Sequence, residues 1–237
     1  MQLWAAQATG YDDSMNPLGP RIISSLAPIL YGFALAQPMP SNVSLVAIRA
    51  DEQQRDHREK LPEIIRALQL KPGSMVGDLG TGYGYYAARF SPAVGASGRV
   101  FAEEIDASLL AKVRERVEAD HLENVTLVLG TPTDPKFPKA SLDAVIIADV
   151  YHEIEHPEVV ISRVKEALKP GGLLMIVDYL KPELRNNTRK QQGKEHNIAP
   201  AFVEHDLEAA GFTPVERRDP YCPGYDEVPT YFIVVRR

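Results

Sequence analysis

Cysteine is almost missing from this chain. Of 237 residues only Cys222 carries a thiol, which excludes an internal disulfide and any zinc site built on cysteines. An excess of positive charge is missing too. The formal net charge is −6, and without a basic face to neutralise phosphates, no nucleic-acid partner is expected. The one locally basic stretch, RNNTRKQQGK at 185–194, is diluted by polar, uncharged residues and reads as a solvated loop. No run of about 20 apolar residues occurs, so no transmembrane span is expected. Internal repeats and low-complexity segments are also absent. What is there is ordinary globular composition, 44% hydrophobic and 24% charged, in a chain long enough to bury roughly 70% of its unfolded surface.

Residues 1–54 read as a leader and residues 55–237 as one domain. Within the leader, Arg21 precedes a mostly apolar run from Ile22 to Ala36 that closes on Ala34-Leu35-Ala36. A positive charge, an apolar stretch and a small-residue cleavage site are the three parts of a secretory signal. Fourteen residues precede Met15, so this reading requires translation to begin at Met15 and cleavage to fall after Ala36. The alternative is an amphipathic leader packed on the domain of a cytoplasmic protein. Export is the working expectation.

From about residue 55 the pattern becomes regular. HREKLPEIIRALQL carries a helical apolar stripe through Leu61, Ile64, Ile65 and Leu68. SMVGDLG reads as a strand running into glycines, YGYYAARFSPAVG as a helix at least to Pro92, RVFAEEI as a strand, and DASLLAKVRERVEADH as a helix capped by Asp106 or Ser108. VTLVLG, LDAVIIADV and LLMIVDY are further strands; PEVVISRVKEAL, opening on Pro157, and PAFVEHDLEAAG are helices. Strands near TPVERRD and in YFIVVRR close the chain. Alternating strands and helices, with AVII and LLMIV apolar throughout, predict an α/β fold: a doubly wound, mostly parallel sheet covered on both faces. Ligands of such sheets bind outside the carboxyl ends of the strands.

The first strand ends in DLGTGYG, with Asp78, Gly80, Gly82 and Gly84. Its G-x-G-x-G spacing departs from the G-x-G-x-x-G of dinucleotide folds, because Tyr85 stands where the third glycine would be. That excludes a nicotinamide oxidoreductase. The second strand ends at Glu103-Glu104, about twenty residues on, where an acid can take both hydroxyls of a ribose.

These motifs, in this order, resemble the class I S-adenosylmethionine-dependent methyltransferases: VGDLGTGYG, then VFAEEID, then GTPTDPKFPKASLDAVIIADVYHE, then LKPGGLLMIVDY. Small bacterial members of unassigned substrate are the most similar in pattern. The resemblance implies a Rossmann-like sheet of seven strands, the last antiparallel, and S-adenosylmethionine as cofactor. It implies that Gly80, Thr81, Gly82 and Gly84 form the cofactor turn, that Asp78 organises it, and that Glu104 rather than Glu103 takes the ribose. Where the family usually has Gly-Asp for the adenine, this chain has Gly130-Thr131, so Asp134 or nearby backbone is the expected substitute. Asp149, at the end of the fourth strand, is expected beside the methionine and the methyl group. The implied function is methyl transfer to a small molecule. A non-catalytic cofactor-binding protein is the alternative, and the oligomeric state is left open.

One motif competes with this reading. His152-Glu153-Ile154-Glu155-His156 spells H-E-x-x-H, the zinc-protease signature in which two histidines one helical turn apart hold a metal. Here a proline follows the second histidine directly, and proline disfavours helical geometry at the residue before it. His156 is therefore expected at a bend, and no metal is expected. The stretch is read as a loop that points Tyr151 and His152 at the methyl-transfer space, with His152 as candidate general base and Asp149 as its orienting partner. The polar segment 181–200, including Glu195 and His196, is expected to lie over the substrate.

Overall fold

Three short helices lead into the sheet in the computed structural model, which describes residues 44–50, 52–224 and 228–237. The export segment Met15–Ala36 lies outside the described residues. The helices are α1 (Leu45–Arg49), α2 (Glu52–Arg58) and α3 (Leu61–Ala67). The single helix expected through HREKLPEIIRALQL is thus two, broken at Lys60, whose φ of 49° is left-handed. Pro62 is the reason. In a continuous helix its ring would clash with the preceding turn and its missing N–H would break the ladder; in the first turn of a new helix neither cost arises.

Among the described residues seven strands form one sheet: β1 (Met75–Leu79), β2 (Arg99–Glu104), β3 (Val125–Leu129), β4 (Leu142–Ala148), β5 (Leu168–Tyr179), β6 (Thr213–Arg218) and β7 (Thr230–Arg236). Their order is β3-β2-β1-β4-β5-β7-β6. The first five pair in parallel, and β7 runs antiparallel between β5 and β6, as the two closing sequence strands imply. Crossovers are made by α4 (Tyr85–Val94), α5 (Ala107–Ala119) and α6 (Pro157–Ala167), and α8 (Pro200–Ala209) precedes β6. Pro92 does not end α4 but lies in its last turn, and Asp106 caps α5 by accepting the Ser108 N–H at 2.7 Å.

Alternate residues of the central strands feed two cores. Ala144, Ile146, Met175 and Val234 pack with Phe90, Val94 and Val113 on one face. Val145, Ile147, Leu174 and Val235 pack with Ile161, Val164 and Leu207 on the other. Burial on both sides is why these strands read as unbroken apolar runs; each buried Val, Leu, Ile, Met or Phe contributes about 1.5–3 kcal/mol.

Two parts of the chain are more ordered than their sequence suggests. Upstream of residue 55, Glu52 is buried in α2 and paired with Arg89 at 2.8 Å and with the buried Arg116 at 2.6 Å, which ties α2 to α4 and α5. The basic stretch 185–194 is not a solvated loop, since it contains α7 (Arg189–Lys194), opened by a Thr188–Gln191 capping box. Its anchor is Gln192, fully buried, whose amide donates to the Leu184 and Asn187 carbonyls and accepts from the Ala199 N–H at 2.7 Å. A buried amide with its hydrogen bonds satisfied fixes a segment that charge counting reads as loose.

Candidate functional site

The crossovers leave β1 and β4 towards opposite faces, so a crevice opens at their carboxyl ends. On one side of it lies the glycine turn. Asp78, 2% exposed, accepts the Thr81 hydroxyl at 2.6 Å, and burial pushes its carboxyl up to about 6 against that hydrogen bond. The Thr81 N–H donates to the Glu103 carbonyl at 2.8 Å and so ties the turn to β2. Gly80 has φ 69°, and a Cβ there would stand 2.6 Å from Val150, so the close approach of β1 to the end of β4 requires glycine. Gly82, φ 55°, has nothing within 4 Å of such a Cβ: its backbone faces open space, as a turn that cradles a ligand must. Gly84 forms the left-handed cap of α4.

Both acids of β2 turn toward these glycines. Glu104 accepts from the N–H groups of Gly82 at 3.1 Å, Ile105 at 2.8 Å and Asp106 at 3.1 Å. Glu103 accepts from the Gly80 N–H at 3.2 Å. Burial raises both carboxyls above the ordinary range, Glu103 to about 8. They line a cleft of about 320 Å³ with Gly80 and Thr131, and Glu153 and Ile154 form part of its wall. Asp134 is placed differently from its expected adenine role: its carboxylate accepts the Lys136 N–H at 2.9 Å, and Thr131, Pro132 and Pro135 line the cleft beside it. The residues fit S-adenosylmethionine, with bare backbone at Gly82 and hydrogen-bonding carboxylates at the end of β2.

Across the crevice β4 ends at Asp149, whose φ of 59° is left-handed, a conformation uncommon for any residue but glycine. Asp149 is open to solvent at the mouth of a recess but enclosed by protein behind; that enclosure, then the Asp178 charge, push its carboxyl up to about 7. Arg55, Glu59, Tyr86, Asp178 and Tyr179 also line this recess, which holds about 20 Å³, room for little more than one water.

The loop after β4 carries Tyr151–Glu153 as a single 3₁₀ turn, not an α-helix. His156 caps α6 at the predicted bend, 56% exposed and beside Glu158. The two histidines of the H-E-x-x-H string therefore do not share a helix face, and the protease geometry is absent. Tyr151 does not point at the crevice. It is 1% exposed, and its hydroxyl donates to Asp206 of α8 at 2.7 Å, so it packs the loop onto the core. The His152 side chain is 2% exposed. Asp178 accepts its Nδ1 at 2.8 Å and its backbone N–H at 3.1 Å, and Glu153 lies 3.3 Å from its Nε2. Burial opposes charge on the ring, but the Asp178 carboxylate, with Glu153 and Asp149, outweighs it and raises the imidazole to about 10. A general base needs a free nitrogen facing the acceptor. His152, with Asp178 on Nδ1 and Glu153 beside Nε2, does not turn a nitrogen toward the crevice, which corrects the base role expected of it.

The sequence reasoning missed Asp178, Arg55 and Glu59. Asp178 carried a signal, as the polar residue that ends an apolar strand. Arg55 and Glu59 carried none, because only packing brings α2 to this edge.

With this geometry in place, comparison with known proteins gives a consistent class. A family profile described as a methyltransferase domain matches residues 76–172. The chain is 32% identical over 114 residues to the ubiquinone/menaquinone biosynthesis C-methyltransferase UbiE of Pseudomonas fluorescens, covering 48% of this chain and 44% of that protein. It is also 32% identical over 113 residues to a protein-L-isoaspartate O-methyltransferase of Ignicoccus hospitalis, covering 48% of this chain and 51% of that one. The chain thus spans about half the length of these curated relatives. Among solved structures, a methyltransferase dependent on S-adenosylmethionine (SAM) from Aquifex aeolicus superposes with a TM-score of 0.63 at 23% identity, over 79% of this chain and 97% of that one; this likeness establishes the fold. The fold and the motif order are those of the class I S-adenosylmethionine-dependent methyltransferases, and residues 76–172 match a methyltransferase domain. The fold and the residues of the cleft support S-adenosylmethionine as the cofactor.

Proposed function

We propose that this chain moves the methyl group of S-adenosylmethionine to an oxygen, nitrogen or carbon nucleophile of a small molecule. The observation that carries this reading is the pairing, across one crevice, of the glycine-lined cleft with a separate recess walled by Asp149, Asp178, Glu59 and Tyr86. Gly80 and Gly82 would lie along the cofactor, Asp78 and Thr81 hold the turn in shape, and Glu104 takes the ribose. The cofactor supplies an already activated methyl group, so the protein has to align the acceptor, exclude water and, where needed, take a proton. Asp149, exposed and pushed up to about 7, can take or release a proton near neutrality, and the Tyr179 hydroxyl donates to it at 3.4 Å. The matched relatives methylate carbon in one case and oxygen in another according to their names, so the shared segment supports the donor half and leaves the acceptor atom to the recess.

The test is transfer of labelled methyl from S-adenosylmethionine into a small-molecule cell extract. A labelled product with the unmodified protein, lost in Asp149→Asn, supports the reading. A second reading, a non-catalytic cofactor-binding protein, is favoured by the small volume of the recess. Stoichiometric cofactor binding with no labelled product would select it. We also propose export; N-terminal sequencing of the native protein would show a start near Gln37 if this holds and at Met1 if it does not.

A further inference from the structure

His152, Glu153 and His196 converge in space although His196 is far along the chain. Glu153 Oε1 lies 3.3 Å from His152 Nε2 and 2.6 Å from His196 Nδ1, and the two imidazoles stand edge to face, 5.9 Å between centroids. Each offers a ligand atom, and all three atoms fall within 4.8 Å of one another. In a tetrahedral shell with bonds of about 2.0–2.1 Å, ligand atoms are about 3.3–3.4 Å apart. The His152–Glu153 pair already has that separation, and the Glu153–His196 pair, at 2.6 Å, needs to open by about 0.7–0.8 Å.

The surroundings suit a metal more than a bare ion pair. Asp178, buried, accepts the Nδ1 proton of His152, which fixes the tautomer and aims Nε2 at Glu153. A carboxylate behind a ligating histidine is the usual outer support of such sites. His196 sits at φ 51°, a left-handed position just past α7, with its N–H on the Gly193 carbonyl. Glycine is the common choice there, and a histidine keeps its Cβ in a disfavoured region to present its ring. Glu153 is 52% exposed, so the third ligand faces solvent and coordination positions stay open beyond the protein ligands.

We propose that His152 Nε2, the Glu153 carboxylate and His196 Nδ1 form a binding site for one divalent d-block cation, zinc by its donor set. Two imidazoles and a carboxylate are borderline ligands that suit zinc and its neighbours better than magnesium or calcium. The site uses two residues of the H-E-x-x-H string but replaces its second histidine with one from another segment, so it is not the protease site. It does not depend on methyl transfer.

The experiment uses the full-length chain, stripped with chelator and titrated with zinc chloride. We expect about one zinc retained per chain after gel filtration. Competition titrations should show affinity lowered by roughly 100-fold or more in His196→Ala and Glu153→Gln, and by about 10–100-fold in Asp178→Asn, which acts through His152. His156→Ala should bind as the unmodified chain does. Unsaturable binding, or loss in His156→Ala with retention in His196→Ala, overturns the site. If His196→Ala does not fold, histidine ring ¹⁵N shifts in the unmodified chain replace it. Zinc must then perturb Nε2 of His152 and Nδ1 of His196, and unmoved signals overturn the proposal equally.

Discussion

On the β1–β2 side of the crevice the site is made of main chain; on the β4–β5 side it is made of side chains. The first side comes from one continuous segment, in which the N–H groups of Gly80 and Gly82 meet the acids that end the neighbouring strand. The second gathers Arg55, Asp149, His152, Asp178 and His196 from separate stretches and holds them by a chain of carboxylates and imidazoles. A main-chain site depends on local conformation, so it tolerates variety in side chains but not in glycines. A side-chain site depends on tertiary packing and on protonation, so its occupants and its pH response can vary while the fold stays constant.

The largest expected effect breaks the brace behind the main-chain side. Glu52→Ala leaves the buried Arg116 cation, which also donates to the Tyr83 carbonyl in the cofactor turn, with only the longer 3.6 Å contact to Asp120. Losing one partner of a buried pair costs about 3–5 kcal/mol, to be read in denaturant unfolding. Unchanged stability would mean that α2 is only laid against the domain.

Next comes the donor cleft itself. Glu104→Ala should weaken S-adenosylmethionine by about 1.5–3 kcal/mol, roughly 10- to 150-fold, by removing charge-assisted hydrogen bonds. Calorimetry on Glu104→Ala and Glu103→Gln side by side decides the register: loss in the second but not the first would shift the ribose acid by one residue. Gly82→Leu places a side chain where the backbone is bare, and undiminished binding in that variant would remove the cofactor from this turn.

The two halves should respond to pH in different windows. Burial raises Asp78 to about 6 and Glu103 to about 8, so the main-chain half loses stability as pH rises through that range, while His152 and Glu153 of the side-chain half respond further out on both sides. In the unfolded chain His152 titrates near its ordinary 6.5, and in the fold it is raised to about 10. Its contribution is therefore fully present below about pH 6.5 and is lost as pH rises toward 10. Glu153, lowered to about 2 by the His152 contact, works the other way: its contribution is present above about 4.5 and fades as pH falls toward 2. In chelator-treated protein, stability should fall across the alkaline window and do so less steeply in His152→Gln. Equal slopes would show that the imidazole is neutral in the fold.

The smallest effect is expected at Tyr151→Phe, which removes one hydrogen bond to Asp206 and should cost about 0.5–1.5 kcal/mol while cofactor affinity stays the same. A change in cofactor affinity would return Tyr151 to the crevice.

The sequence by itself determined the alternation of strands and helices, the glycine turn after β1, the acidic end of β2 and the bend at His156-Pro157. Each depends on residues close together in the chain: apolar periodicity, glycine spacing, a proline's effect on its neighbour. Tertiary structure alone decided the rest. It buried Gln192 inside a stretch that reads as solvated, turned Tyr151 into the core, and set His196 beside Glu153. The physical reason is that a side chain's partner, its burial and hence its charge are fixed by segments that meet only when the sheet closes. No local pattern records which those segments will be.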